Sequence, residues 1–81
     1  GNYPNPFNPS TTISYDVAEV SDVKLEIFDI GGRLVEKLES LQRLPGSYSV
    51  RWDGSARPSG TYFVRLEAGS FSDVETILLV K

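Results

Sequence analysis

Two strictly alternating runs joined by turn residues decide what this chain can fold into. They lie in GSYSVRWDGSARPSGTYFVRL, from Gly46 to Leu66. In the first run Tyr48, Val50 and Trp52 share one face, with Ser47, Ser49 and Arg51 on the other. In the second, Tyr62, Val64 and Leu66 oppose Phe63, Arg65 and Glu67. Successive side chains leave a pleated backbone on opposite sides, so a period of two rich in aromatic and β-branched residues marks a half-buried strand. Between the runs, Asp53-Gly54 and Pro58-Ser59-Gly60 are turn chemistry: glycine supplies positive φ, and proline pre-sets φ near −65°. Trp52, the single tryptophan, is the largest apolar group available, and belongs at the centre of a two-layer core.

The rest of the chain fits the same class. The opening Asn2-Tyr3-Pro4-Asn5-Pro6-Phe7-Asn8-Pro9 holds three of the five prolines. Each removes a backbone donor and holds its predecessor extended. Residues 1–10 therefore form a stiff lead-in, either a linker or a segment docked by the Tyr3 and Phe7 rings. Asn8-Pro9-Ser10 is no glycosylation acceptor, because proline occupies the middle place. Ile13, Tyr15 and Val17 alternate with Thr12, Ser14 and Asp16 in a first strand. Val23, Leu25 and Ile27 alternate with Lys24, Glu26 and Phe28 in a second. Gly31-Gly32 then predicts a two-residue hairpin with positive φ at both glycines. Leu34, Leu38 and Leu41 have helical spacing, yet a hairpin needs a strand partner at once. The expectation is a strand over Arg33 to Leu38, then a loop or one helical turn over Glu39 to Leu44. Phe71 to Val80 is the last strand, and the apolar run Ile77 to Val80 predicts burial on both faces. The fold class is all-β: a small immunoglobulin-like antiparallel β-sandwich of six to seven strands over residues 11–81.

Composition narrows the chemistry. With 81 residues there is room for one core. Histidine, cysteine and methionine are all absent. Disulfide scaffolds, zinc fingers, thiol nucleophiles and histidine-based triads are thereby excluded, while the redox compartment stays open. A net charge of −3 and a pI near 4.7 argue against nucleic acid and anionic lipid as partners. No apolar run approaches the ~18 residues of a membrane-spanning helix. No charged-then-apolar leader opens the sequence, so an export signal is expected upstream or in the segment itself.

Four chemical readings can be weighed. Asp29, Asp53 and Asp73 each adjoin a turn, and paired loops could offer oxygen ligands to Ca²⁺. Aspartate is also common in turns for its own hydrogen bonding, and no EF-hand-like loop is present, so no cofactor or metal is expected. Two carboxylates could hydrolyse a glycoside, but no cleft is foreseeable in so small a sandwich. The glycines do not cradle phosphate, because no helix follows them. Trp52, Tyr48 and Tyr62 could form a sugar-stacking platform, although aromatics at this spacing more commonly fill a core.

Four segments and a terminus carry a resemblance: NYPNPFNPSTTISY (Asn2 to Tyr15), VKLEIFDIGGRLVEKL (Val23 to Leu38), YSVRWDG (Tyr48 to Gly54), PSGTYFVRLEAG (Pro58 to Gly69) and the closing ILLVK (Ile77 to Lys81). In this order they resemble the type A C-terminal sorting domain of proteins exported by the type IX secretion system. A similar Trp-Asp-Gly and Gly-Thr-Tyr arrangement occurs in the immunoglobulin-like domain of flagellar hook-capping proteins. The resemblance implies a non-catalytic sorting and translocation tag for an upstream cargo. Its implied partners are the outer-membrane translocon and a sortase-like protease. Its implied route is the periplasm in transit, then the cell surface or medium, without membrane insertion. Pro4, Asn5, Pro6, Gly32, Gly60, Tyr62 and Lys81 match the family's recurring positions. One departure is Glu75-Thr76, where many members carry lysine or arginine early in the last strand. The alternatives are a structural immunoglobulin-like domain of a cell-surface or flagellar assembly, and a carbohydrate-binding module of a secreted hydrolase.

Overall fold

The computed structural model describes residues 6–7 and 9–81. It contains seven strands: β1 (Pro6–Phe7), β2 (Ser10–Val17), β3 (Ser21–Asp29), β4 (Leu34–Arg43), β5 (Gly46–Asp53), β6 (Gly60–Ala68) and β7 (Phe71–Leu79). They form a five-stranded sheet in the order β1-β7-β6-β3-β4 and a two-stranded sheet of β2 and β5. All pairings are antiparallel except that of β1 with β7, which joins Pro6 to Leu78 and Phe7 to Leu79. This is the expected all-β sandwich.

The alternating residues close the core. Ile13, Tyr15 and Val17 on β2, Val23, Leu25 and Ile27 on β3, and Tyr62 and Val64 on β6 are buried together. Trp52 is 1% exposed and meets Tyr62 edge-on, with ring centroids 5.4 Å apart. On β7 the inward residues Ile77 and Leu79 are buried, but Leu78 and Val80 are exposed. The apolar end of the chain is therefore covered on one face and not on two, because only β2 and β5 supply a second layer.

Two expectations are corrected. The segment after the hairpin is one strand, Leu34–Arg43, with neither a loop nor a helical turn over Glu39 to Arg43. The helical spacing has a β explanation. Leu25 and Glu26 face Glu39 and Lys37, and Ile27 and Phe28 face Glu36 and Leu34, so Leu38 and Val35 are extra residues in β-bulges. Each bulge resets the alternation, and Val35 and Leu38, three apart, both pack against the core. Leu34 and Leu41 are exposed.

The hairpin itself is longer than predicted. Only Gly32 has positive φ, at 86°; Gly31 does not. The Gly32 N–H donates to the Asp29 carbonyl at 2.9 Å, and the Asp29 N–H to the Arg33 carbonyl at 2.9 Å. This is a three-residue connection, a turn over Ile30-Gly31 followed by a glycine in the left-handed region. The Asp29 carboxylate takes the Gly31 N–H at 2.9 Å and the Arg33 N–H at 3.0 Å. It thus supplies acceptors that a tighter turn would not need.

Two predictions follow from this packing. Trp52→Ala is expected to cost ~3–5 kcal/mol, a large fraction of the stability of so small a domain, read from urea unfolding midpoints. Gly32→Ala is expected to cost about 1–2 kcal/mol, the penalty for the left-handed conformation. Gly31→Ala should cost less, since its φ is ordinary and the added Cβ would meet only Asp29 Oδ1 at 3.4 Å. Equal costs for the two glycines would contradict the turn described here.

Candidate functional site

Six strand ends meet at one pole of the sandwich: the start of β2, the end of β3, the starts of β4 and β6, and the ends of β5 and β7. The β5–β6 loop organises this pole. Asp53 Oδ1 accepts the Ser55 N–H at 2.9 Å, and the Arg57 N–H donates to the Gly54 carbonyl at 2.9 Å, closing two successive turns. Gly54 is buried, and its N–H donates to the Pro9 carbonyl at 2.8 Å. A Cβ at Gly54 would lie 3.1 Å from Leu79 Cδ2 and 3.4 Å from the Pro9 oxygen. A side chain there would press on Leu79 at the point where the lead-in, the loop and the last strand converge.

Side chains fasten the loop from three directions. Tyr62 Oη donates to the Pro58 carbonyl at 2.7 Å, and Arg57 Nη2 donates to the Val35 carbonyl at 2.7 Å. Lys81 reaches back twice: its backbone N–H donates to Ser59 Oγ at 3.1 Å and its Nζ to the Ser55 carbonyl at 2.6 Å. Lys81 is thus tied to the loop by both its backbone and its side chain. On the hairpin side Asp29 pairs with Arg33, Oδ2 to Nε 3.1 Å, while the Arg33 side chain is 87% exposed.

Both pole aspartates stay ionised below the ordinary carboxylate range. For Asp29 the main cause is the Arg33 N–H, helped by the Arg33 guanidinium and the Gly31 N–H against a smaller desolvation cost. For Asp53 it is the Ser55 N–H, then the Ser55 hydroxyl, with a weaker pull from Arg51. These carboxylates are engaged by N–H donors. No group of three acidic or otherwise metal-ligating side chains occurs among the described residues.

The residues singled out from sequence fall as follows. Pro4 and Asn5 lie outside the described residues. Pro6 belongs to β1 and pairs with Leu78 beside the pole. Gly32 and Gly60 sit at the pole and serve its backbone, Gly60 with φ of 150°. Tyr62 is buried under the pole, with only its hydroxyl directed at the loop. Lys81 lies on the surface. Sequence reasoning missed Gly54, Ser55, Arg57 and Ser59 as pole-forming residues. Asp53-Gly54 was legible as a turn, but nothing local shows that Leu79 and Pro9 would press against it.

The sugar platform does not form, because Trp52 and Tyr62 are both buried in the core. Tyr48 instead stacks on Tyr15, centroids 5.6 Å apart, beneath the Arg43 guanidinium at 4.4 Å. No helix among the described residues is long and apolar enough to cross a membrane.

Against this geometry, the profile of one protein family, the secretion system C-terminal sorting domain, matches residues 2–81. The chain belongs to that family. It is a sorting signal for type IX secretion, marking a secreted protein for the cell surface or the extracellular space and engaging the secretion machinery. The family is one of sorting signals, which are in general non-catalytic. No curated protein matched the chain.

The aspartate environments fix a pH dependence. A carboxyl group whose pKa is depressed by folding stabilises the fold above its unfolded pKa, and that contribution is lost as pH falls through the folded pKa. Unfolding midpoints should therefore hold down to about pH 4, the ordinary aspartate value, and decline below it. Asp29→Asn and Asp53→Asn should each start lower at neutral pH and decline less steeply in acid, as followed by urea titration across pH.

Proposed function

We propose that the folded sandwich is a non-catalytic tag whose pole, with Gly32, Gly60, Lys81 and the β5–β6 loop, is the surface read by the outer-membrane translocon. The observation that carries this is convergence. The described recurring positions of the family, far apart in sequence, lie at or beside one end of the molecule. The tag crosses the periplasm with its cargo, and the proline-rich lead-in of residues 1–10 joins cargo to sandwich. A sortase-like protease would act on the cargo side of β1, since Pro6 and Phe7 are already paired with the last strand. Pro4, Asn5 and Pro6 belong to that handover, whereas Tyr62 acts through the loop that it holds. Among the described candidates, Lys81 is the one whose side chain is both displayed and positioned by the fold.

The test fuses these 81 residues behind a periplasm-directed fluorescent reporter in a bacterium with an active type IX system. Reporter is expected at the surface or in the medium, and should be lost in a translocon-deficient strain. A folded fusion retained in the periplasm, in a host where a native tag works, would overturn the reading. Lys81→Ala separates fold from signal. It removes one exposed side-chain hydrogen bond, worth on the order of 1 kcal/mol, a small part of the stability of the domain, so the domain should stay folded by circular dichroism while export falls. Undiminished export of that variant would remove Lys81 from the surface being read.

A further inference from the structure

The two edges of the five-stranded sheet are built differently. The β4 edge carries two bulges, a common device for blunting an edge against unwanted pairing. The β7 edge is regular: its nine residues pair with β6 without a register shift. On its other side β1 covers only Leu78 and Leu79, and among the described residues no strand pairs with 71–77. The Val74 N–H donates to the Asp73 carboxylate at 3.0 Å, so it is turned away from β6. Backbone groups alternate in direction along an antiparallel strand. Ser72, Val74 and Thr76 therefore turn theirs outward, in phase with Leu78, where β1 docks.

The side chains along this edge have a matching asymmetry. Asp73 and Glu75 lie on the core-facing side, paired across to Leu66 and Val64. There the sandwich opens between β2 and β7 in a cleft of about 50 Å³, floored by Ile13, Leu25, Val64 and Leu66. Neither carboxylate has a basic partner among the described residues. On the outer side Val74 is exposed, in line with exposed Leu78 and Val80. A second copy is a poor occupant. Antiparallel pairing of two β7 strands about Val74 would set Asp73 beside Glu75 of the other copy, and like charges directly opposite are destabilising.

We propose that the 71–77 edge of β7 is a strand-addition site for an extended segment of another protein, with lysine or arginine at alternate positions and apolar residues between them. The backbone would complete the ladder at Ser72, Val74 and Thr76. The basic side chains would meet Asp73 and Glu75 over the cleft, and the apolar ones would cover Val74. This surface lies along the side of the sandwich and does not depend on the pole being read.

The test is a titration of the isotope-labelled chain with the acetylated, amidated peptide Thr-Lys-Val-Lys-Val-Lys-Thr, read by amide chemical shifts and hydrogen exchange. Saturable shifts over 71–77 are expected, with exchange slowed at Ser72, Val74 and Thr76. The same peptide with glutamate for lysine, and the chain carrying Asp73→Lys with Glu75→Lys, should each bind about tenfold more weakly, as two cross-strand charge pairs imply. Thr76→Pro should block the edge while leaving the Trp52 indole signal in place; should that variant fail to fold, the charge reversal tests the site alone. Absence of shifts, or equal binding of both peptides, would overturn the proposal. So would slow exchange at the three amides in the free protein, which would show the edge already covered by the chain's own residues 1–5.

Discussion

Trp52 stands edge-on to Tyr62 across the gap between the sheets, and the second layer of the sandwich depends on that contact. The two-stranded sheet of β2 and β5 has no stability of its own to draw on, since an isolated pair of strands is marginal in water. Its strands are also remote in sequence, pairing Ser10 with Asp53 and Val17 with Gly46. They meet only because their apolar faces are taken up by the larger sheet. The indole is well suited to this. It buries a large apolar surface, and its Nε1–H still donates to Glu36 Oε1 at 2.9 Å. The Tyr62 hydroxyl is likewise engaged at Pro58. No buried polar or charged residue is needed elsewhere in the core among the described residues.

The same junction holds the pole in shape. Tyr62 reaches from the core to the β5–β6 loop, and Trp52 is followed immediately by the Asp53-Gly54 turn that this loop begins with. Burial of the two aromatics and the conformation of the loop are therefore linked through the backbone. The hydrogen bond from Gly54 to the Pro9 carbonyl and the double attachment of Lys81 extend that link to the lead-in and to Lys81. Under the proposed reading, a surface assembled in this way would lose little conformational freedom on binding, which favours specific association from a small area.

Much of this was legible in the sequence, and the division is physical. Alternation placed Ile13, Tyr15, Val17, Val23, Leu25, Ile27, Trp52, Tyr62 and Val64 in the core, because period-two burial depends on the local chain alone. The β4 segment misled because bulges at Val35 and Leu38 are set by pairing with β3, and their apolar spacing imitates a helix. The hairpin was located correctly at Gly31-Gly32, but its length was not, since the Asp29 side chain takes over two N–H groups that local glycine content does not reveal. At the pole, the turn residues were legible. The attachment of Lys81 to Ser55 and Ser59 was not, as it spans more than twenty residues of sequence.

A distinction follows between the residues that make the motif recognisable and the groups that a partner can touch. Gly32 and Gly60 have no side chain to present, and each is fixed by a backbone conformation that other residues resist. Tyr62 presents almost nothing, being buried. What the pole displays instead are Ile30, Arg33, Lys81 and the exposed loop residues Ser55, Ala56, Pro58 and Ser59. Of these, only Lys81 belongs to the recurring set. A family defined by such positions shares a scaffold geometry first. Under the proposed reading, the machinery would take the shape and backbone of the pole, with Lys81 as the one recurring side chain displayed there among the described residues, and the residues around it would be free to differ. On that account a substitution at Gly60 acts by distorting the loop, and one at Arg33 alters only what surrounds the shared surface.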